Sequence, residues 1–210
     1  MRHQRHEKYV LFYPEVLSLR VCVFCGSNTG RSEVYMKEGK AFGALIAKKG
    51  MGVVYGGARD GLMGAVANGA LEAGGEVIGV LPRQLFDLEQ AHEGLTDLRI
   101  VDSMHERKQI MHDLSSSFVS LPGGIGTMEE MFEVWTWTQL GVHRKPLAIY
   151  NLNGFYDALE TFLDVMVKEG FVKDVHRSMT ITGRDPEALL DELINYEPPL
   201  VHKWLKPEER

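Results

Sequence analysis

Short apolar runs alternate with longer amphipathic stretches along this chain, and that alternation predicts the fold class. Arg20-Phe24 (RVCVF) reads as a strand ending at Cys25-Gly26-Ser27, and Ser32 to Lys49 keeps a helical period that gathers Tyr35, Phe42, Leu45 and Ile46 near one face. Gly52-Tyr55 is a second strand, ending at Gly56-Gly57, and a small-residue helix from Gly61 to Ala73 stops at Gly74-Gly75, a C-terminal cap pattern. Further strands are predicted at Glu76-Leu81, Leu98-Val101, Ser117-Leu121, Pro146-Tyr150 and Met179-Ile181, with a polar loop from Arg83 to Asp97. Helices begin near Ser103, follow a glycine motif to about Leu140, run from Gly154 to Glu169, and start again at Asp185-Pro186, ending near Asn195. Strands alternating with helices predict an α/β fold: an open parallel sheet with helices on both faces, in a single domain. The domain spans 20–196, between an N-terminal extension (1–19) and a C-terminal tail (197–210).

Composition narrows the partners. The chain has 210 residues, 44% hydrophobic and 25% charged, which suits one domain with a sizeable core. A net charge of −6 without a basic stripe argues against nucleic acid, while a small anion needs only a local positive field. No apolar run approaches the roughly 20 residues of a membrane span. The start, MRHQRHEKYVLFYPEVLSLR, lacks the apolar core and cleavage site of a signal peptide. Cys22 and Cys25 have C-x-x-C spacing, but three residues apart on a strand they face opposite ways, and no second pair completes a metal site. They are expected to be reduced core residues in a cytoplasmic protein.

Three glycine-bearing loops follow strands: Gly26-Ser27, Gly56-Gly57 and Gly123-Gly124-Ile125-Gly126. In an open parallel sheet they converge on the carboxyl rim, where such folds bind ligands. None fits the dinucleotide fingerprint, because the third glycine position of GGIGTMEE is Glu129, and the Walker lysine motif is absent. Two readings of SLPGGIGTMEE stay open. Its amides form a cradle for a phosphate at a helix N-terminus, or Thr127-Met128-Glu129-Glu130 is a capping box. Downstream, Met128, Met131, Phe132 and Trp135 form the core face. Trp137 and Leu140 continue the acidic far side, which suggests a covered surface such as a homodimer contact.

The second constellation is DSMHERKQIMHDL. Ser103 and Glu106 form a capping box, and Arg107 shares an apolar stripe with Met104, Met111 and Leu114. A guanidinium there needs a partner: a structural salt bridge, or a ligand phosphate or active-site carboxylate. The histidines show no metal-ligand spacing, and His105 and His112 read as helix-surface residues.

The motifs VCVFCGS, VVYGGARDGLMG, VIGVLP, MHERK, LPGGIGTMEE, TWTQLGVHRKPLAIYN and GFYDAL, spread over 21–172, resemble the Lonely Guy family. These are the cytokinin riboside 5′-monophosphate phosphoribohydrolases, some long labelled lysine decarboxylases. The resemblance implies a Rossmann-like fold, a homodimer, and hydrolysis of the N-glycosidic bond of N6-modified adenosine 5′-monophosphate to the free base and ribose 5-phosphate, with no cofactor and no metal. It places the catalytic pair on Arg107 and Glu130. Substrate contacts fall on Glu89, Arg107, Lys108, Gly123, Gly124, Ile125, Gly126, Thr127, Met128, Glu129 and Thr136, and the other glycine-loop positions add Ser27 and Gly57. The loop PRQLFDLEQAHEG departs from the plant-like pattern, and GSNTG replaces the commoner double serine. Two alternatives share the fold: a carrier of a phosphorylated nucleotide-like cofactor such as molybdenum cofactor, and an NAD- or ADP-ribose-sensing protein.

Overall fold

A computed structural model describes residues 19–86 and 90–199. Within them seven strands form one parallel sheet: β1 (Arg20–Phe24), β2 (Gly52–Tyr55), β3 (Val77–Pro82), β4 (Asp97–Val101), β5 (Ser117–Ser120), β6 (Leu147–Tyr150) and β7 (Thr180–Gly183). The spatial order is β4-β3-β2-β1-β5-β6-β7, and every pairing is parallel. The chain grows outward from β1 in one direction, then crosses back to place β5 on the other side of β1. That reversal opens a crevice beyond the carboxyl ends of β1 and β5.

The helices are α1 (Glu33–Lys48), α2 (Gly61–Glu72), α3 (Met104–Leu114), α4 (Ile125–Leu140), α5 (Asp157–Lys168), the short α6 (Asp174–Arg177) and α7 (Pro186–Asn195). They cover both faces of the sheet and make two apolar cores. One joins Val21, Val23 and Cys25 to α1, α2 and α7, and the other joins Cys22 and Phe24 to α3, α4 and α5. Strands buried on both faces have no polar side, which is why they read as short apolar runs. Cys22 and Cys25 are buried free thiols on opposite faces, as expected.

Local signals place the helix ends. Asp185 accepts from Ala188 N at 2.8 Å, with Pro186 opening α7. Gly74 N–H reaches Leu71 O and Gly75 N–H reaches Ala70 O, both at 2.9 Å, a Schellman arrangement closing α2. The predicted helix at Gly154 divides instead. A 3-10 turn at Leu152–Gly154, with Asn153 at φ 54°, precedes α5, so the chain bends before the helix begins. The short α6 was not expected from the sequence, because four residues carry no readable period.

Candidate active site

The glycine loop after β5 is pinned on both sides. Gly26 N–H donates to Pro122 O at 3.0 Å, and Leu121 N–H donates to Phe24 O at 2.9 Å, which fastens the end of β5 to the end of β1. The crossing is so close that a Cβ on Gly123 would lie 2.1 Å from Thr127 Oγ1 and 2.9 Å from Gly26 N. From below, the buried Tyr156 hydroxyl donates to Leu121 O at 2.6 Å and lies 3.1 Å from Ser120 Oγ.

The helix that follows starts earlier than a capping box allows. Gly124 is the N-cap of α4, with no side-chain cap, and the first helical bond runs from Met128 N to Gly124 O at 3.1 Å. Thr127 therefore sits inside the first turn, so the capping-box reading of Thr127 to Glu130 does not hold. The amides of Ile125, Gly126 and Thr127 precede the intrahelical ladder, and they carry the positive end of the helix dipole. Gly124 and Gly126 face open space, with nothing within 4 Å of an added Cβ.

The start of α3 follows the sequence. Ser103 Oγ accepts from Glu106 N at 3.1 Å, and Glu106 Oε2 accepts from Asp102 N at 2.9 Å. This fixes the helix so that Arg107, 6% exposed, turns inward under the rim of β2. Its Nη2 donates to Gly56 O at 3.2 Å and its Nη1 to Met104 Sδ at 3.9 Å, while Nε is buried without a hydrogen-bond partner among the described residues. None of the ion pairs among the described residues includes Arg107. The guanidinium lies where a side chain on residue 56 would be, with a Cβ there only 1.9 Å from Nη2.

These elements enclose a cavity of about 480 Å³, within the range of small-molecule sites. Of the residues singled out from sequence, Ser27, Arg107, Gly123, Gly124, Ile125, Gly126, Thr127, Glu129 and Glu130 line it. Arg107 and Glu130 thus share one pocket, with Arg107 on α3 and Glu130 on the second turn of α4. Burial pushes the Cys22 and Cys25 thiols up, and the Glu130 charge adds to both shifts; Arg107 opposes the rise at Cys22. Both thiols are thereby held protonated, Cys25 in the cavity's wall and Cys22 in the core on the other face of the sheet, rather than acting as nucleophiles.

Four positions fall elsewhere. Gly57 has φ +85° and packs beneath Leu81 and Leu98, so Gly56, its neighbour, is the residue at the rim. Lys108 points away: its Nζ donates to Glu129 Oε1 at 2.5 Å and Glu133 Oε1 at 2.9 Å. Burial works against its charge, but those two carboxylates outweigh it and its pKa rises. Met128 packs on the core beneath α4, and Thr136 is exposed with Oγ1 bonded to Phe132 O at 2.7 Å. Glu89 lies outside the described residues. Sequence reasoning missed the cavity's apolar wall, where Tyr35 and Phe155 meet edge to face at 6.2 Å beside Leu62, Met63 and Met111. It also missed Asn28 and Thr29, which line the cavity from the loop of Ser27.

A parallel α/β protein with an amide-rich, arginine-bearing cavity at its topological switch point is the class that fold and site define. A family model described as "Possible lysine decarboxylase" matches residues 63–193. The chain is 44% identical over 171 residues to the cytokinin riboside 5′-monophosphate phosphoribohydrolase of Rhodococcoides fascians, covering 81% of this chain and 86% of that one. It is 41% identical over 179 residues to the enzyme of that name, LOG, from Oryza sativa subsp. japonica, covering 85% of this chain and 74% of that one. This protein belongs to that family, the Lonely Guy proteins. Solved structures share the fold at lower identity. The molybdenum cofactor binding protein of Rippkaea orientalis superposes with a TM-score of 0.65 at 21% identity, over 85% of this chain and 98% of that one.

Proposed function

We infer that this protein hydrolyses the N-glycosidic bond of adenosine 5′-monophosphate or an N6-modified form of it, to release the free base, adenine or a cytokinin, and ribose 5-phosphate. The observation that carries this reading is the single cavity in which the uncapped amides of α4 meet Arg107 and Glu130. The phosphate is assigned to the amides of Ile125, Gly126 and Thr127, which suit an anion. The apolar wall of Tyr35, Leu62, Met63 and Phe155 suits a planar base. Cleaving C1′–N9 develops oxocarbenium character on the ribose. The Glu130 carboxylate offsets that charge and orients the attacking water. Arg107, fixed through Gly56 O, reaches the phosphate or ribose and holds Glu130 ionised.

No lysine among the described residues lines the cavity, and Lys108 is engaged by two carboxylates. The decarboxylase wording of the family description therefore finds no lysine there to anchor pyridoxal phosphate. The negative net charge supports a partner that is not nucleic acid. No helix among the described residues is long and apolar enough to cross a membrane. The two reduced cysteines accord with a cytoplasmic location. Leu140 and Val142, 43% and 65% exposed at the end of α4, support a homodimer contact there. Trp137 contributes less than the sequence suggested, because it packs edge-on against His112 at 5.3 Å. Sedimentation showing only monomer at micromolar concentration would remove the dimer.

The deciding experiment is chromatography of AMP and N6-isopentenyl-AMP after incubation with the protein. Released base is expected. Intact substrates across conditions would favour a carrier of a phosphorylated cofactor.

A further inference from the structure

Behind Glu130 lies a second, much smaller chamber of about 10 Å³, about the room one water needs. Its polar lining is Lys108, His112, Glu130 and Glu133, set among the rings of Phe24 and Phe118. Among the described residues, Glu130 is the one member of the main cavity's lining that also lines this chamber. The residue assigned to the chemistry thus borders both the substrate space and this smaller pocket.

His112 is not the helix-surface residue its position in the sequence suggests. Its ring stacks on Phe118 with centroids 5.8 Å apart and lies 4.7 Å from the ring of His143. Nδ1 is 3.0 Å from Asp113 Oδ1, and the hydrogen bond to His112 heads the causes that hold the Asp113 carboxyl below its usual range. An ionised carboxylate can only accept, so Nδ1 carries the proton. Burial lowers the His112 pKa, the Asp113 bond opposes this, and the Lys145 charge adds to the fall. The neutral imidazole then presents a bare lone pair at Nε2, which is buried and has no hydrogen-bond partner among the described residues.

We propose that the chamber holds one structural water that donates one hydrogen to His112 Nε2 and the other to the Glu130 carboxylate, making His112 a positioning residue for the active-site acid. The water gives the acceptor its donor, and His112 fixes how the water is turned. Hydrogen bonding to the charged form keeps Glu130 ionised. Lys108 supplies the chamber's positive charge but is tied to Glu129 and Glu133. Among the described residues, Cys22 and Cys25 on β1 also bear on Glu130, His143 and Lys145 ahead of β6 bear on His112, and Arg107 on α3 shares the main cavity with Glu130. None of them changes in the variants below.

The proposal rests on Glu130 acting on substrate, so the test has a readout independent of turnover. The Glu130 carboxyl is titrated by carbon-13 NMR in the ligand-free protein, in wild type, His112→Leu and His112→Gln, with His112→Met as a second apolar variant should Leu fail to fold. The acid limb of kcat/KM for N6-isopentenyl-AMP is recorded in parallel. The apolar variants should raise the Glu130 pKa and the acid limb together, by about half to one unit for one lost hydrogen bond to the charged form. Gln, which restores an acceptor near the Nε2 position, should bring both back toward wild type. An unmoved Glu130 pKa in a folded apolar variant overturns the water bridge, and so does an equal shift in the apolar and Gln variants. If the NMR shift appears while wild type releases no base, the chamber stands and the hydrolase reading falls.

Discussion

Gly56→Ala tests whether the site is organised around one arginine. The backbone of Gly56 lies outside the left-handed region, so alanine costs little there in local conformation. Its methyl, however, would sit 1.9 Å from Arg107 Nη2, 2.3 Å from Met63 Cε and 3.1 Å from Arg107 Cζ. Met63 ends in a flexible thioether and can swing aside. The guanidinium cannot stay: an ordinary contact of 3.4 Å requires it to retreat by about 1.5 Å, which breaks the 3.2 Å bond to Gly56 O. A hydrogen bond to a charged group contributes about 1.5–3 kcal/mol, or about 10- to 150-fold in rate if the bond matters at the transition state. Misplacing a catalytic group by ~1 Å gives a similar figure, about 100-fold. The expected result is a fall in kcat/KM for N6-isopentenyl-AMP of about two orders of magnitude, with the melting temperature changed by only a few degrees. A double-mutant cycle sharpens the test. If Gly56→Ala acts through the guanidinium, adding it to Arg107→Ala should cost almost nothing more. A folded Gly56→Ala protein within threefold of wild-type kcat/KM would refute the placement of Arg107, and additive losses in the double variant would refute the route.

Two further outcomes follow from the same geometry. Glu130→Gln should fold and bind nucleotide yet lose most turnover, while Arg107→Ala should raise KM and lower kcat together; full activity of the first, or unchanged kcat/KM of the second, removes that residue from the mechanism. Stability should also depend on pH through His143, whose pKa is driven to about 4 by burial first and then by the His112 and Lys145 charges, from an ordinary 6.5. The unfolded chain takes up this proton at higher pH than the folded one, so stability is lost as pH falls from about 6.5 to about 4 and the group contributes nothing above that window. His112, lowered in the same direction, adds to the loss. The urea midpoint should drop less between pH 7 and 4.5 in His143→Gln, and an identical drop would show that other groups carry the acid sensitivity.

The sequence made the sheet and its helices legible because each strand buried on both faces had to be an apolar run, and each covering helix had to keep one apolar face. What it showed less well depended on neighbours distant in the chain. Gly56 and Gly57 are equivalent in sequence, but only one lies beneath a guanidinium delivered from α3, 51 residues away. His112 falls off the apolar stripe of its own helix and is covered by Trp137 and His143 from the far end of α4 and the turn beyond it, so no local period could have placed it inside. The capping box at Thr127 was a fair local inference that the tertiary structure overrode. Fastening Gly26 N–H to Pro122 O brings the chain so close that Gly123 and Thr127 touch, and the helix begins at Ile125. That shift has a chemical consequence. A threonine cap would have spent amide donors on a side chain of the same protein. A glycine cap has no side chain to offer, so the donors at the start of α4 face a cavity that also holds Arg107 and Glu130. The feature that hid the helix start from the sequence is the one that leaves those amides available to a phosphate.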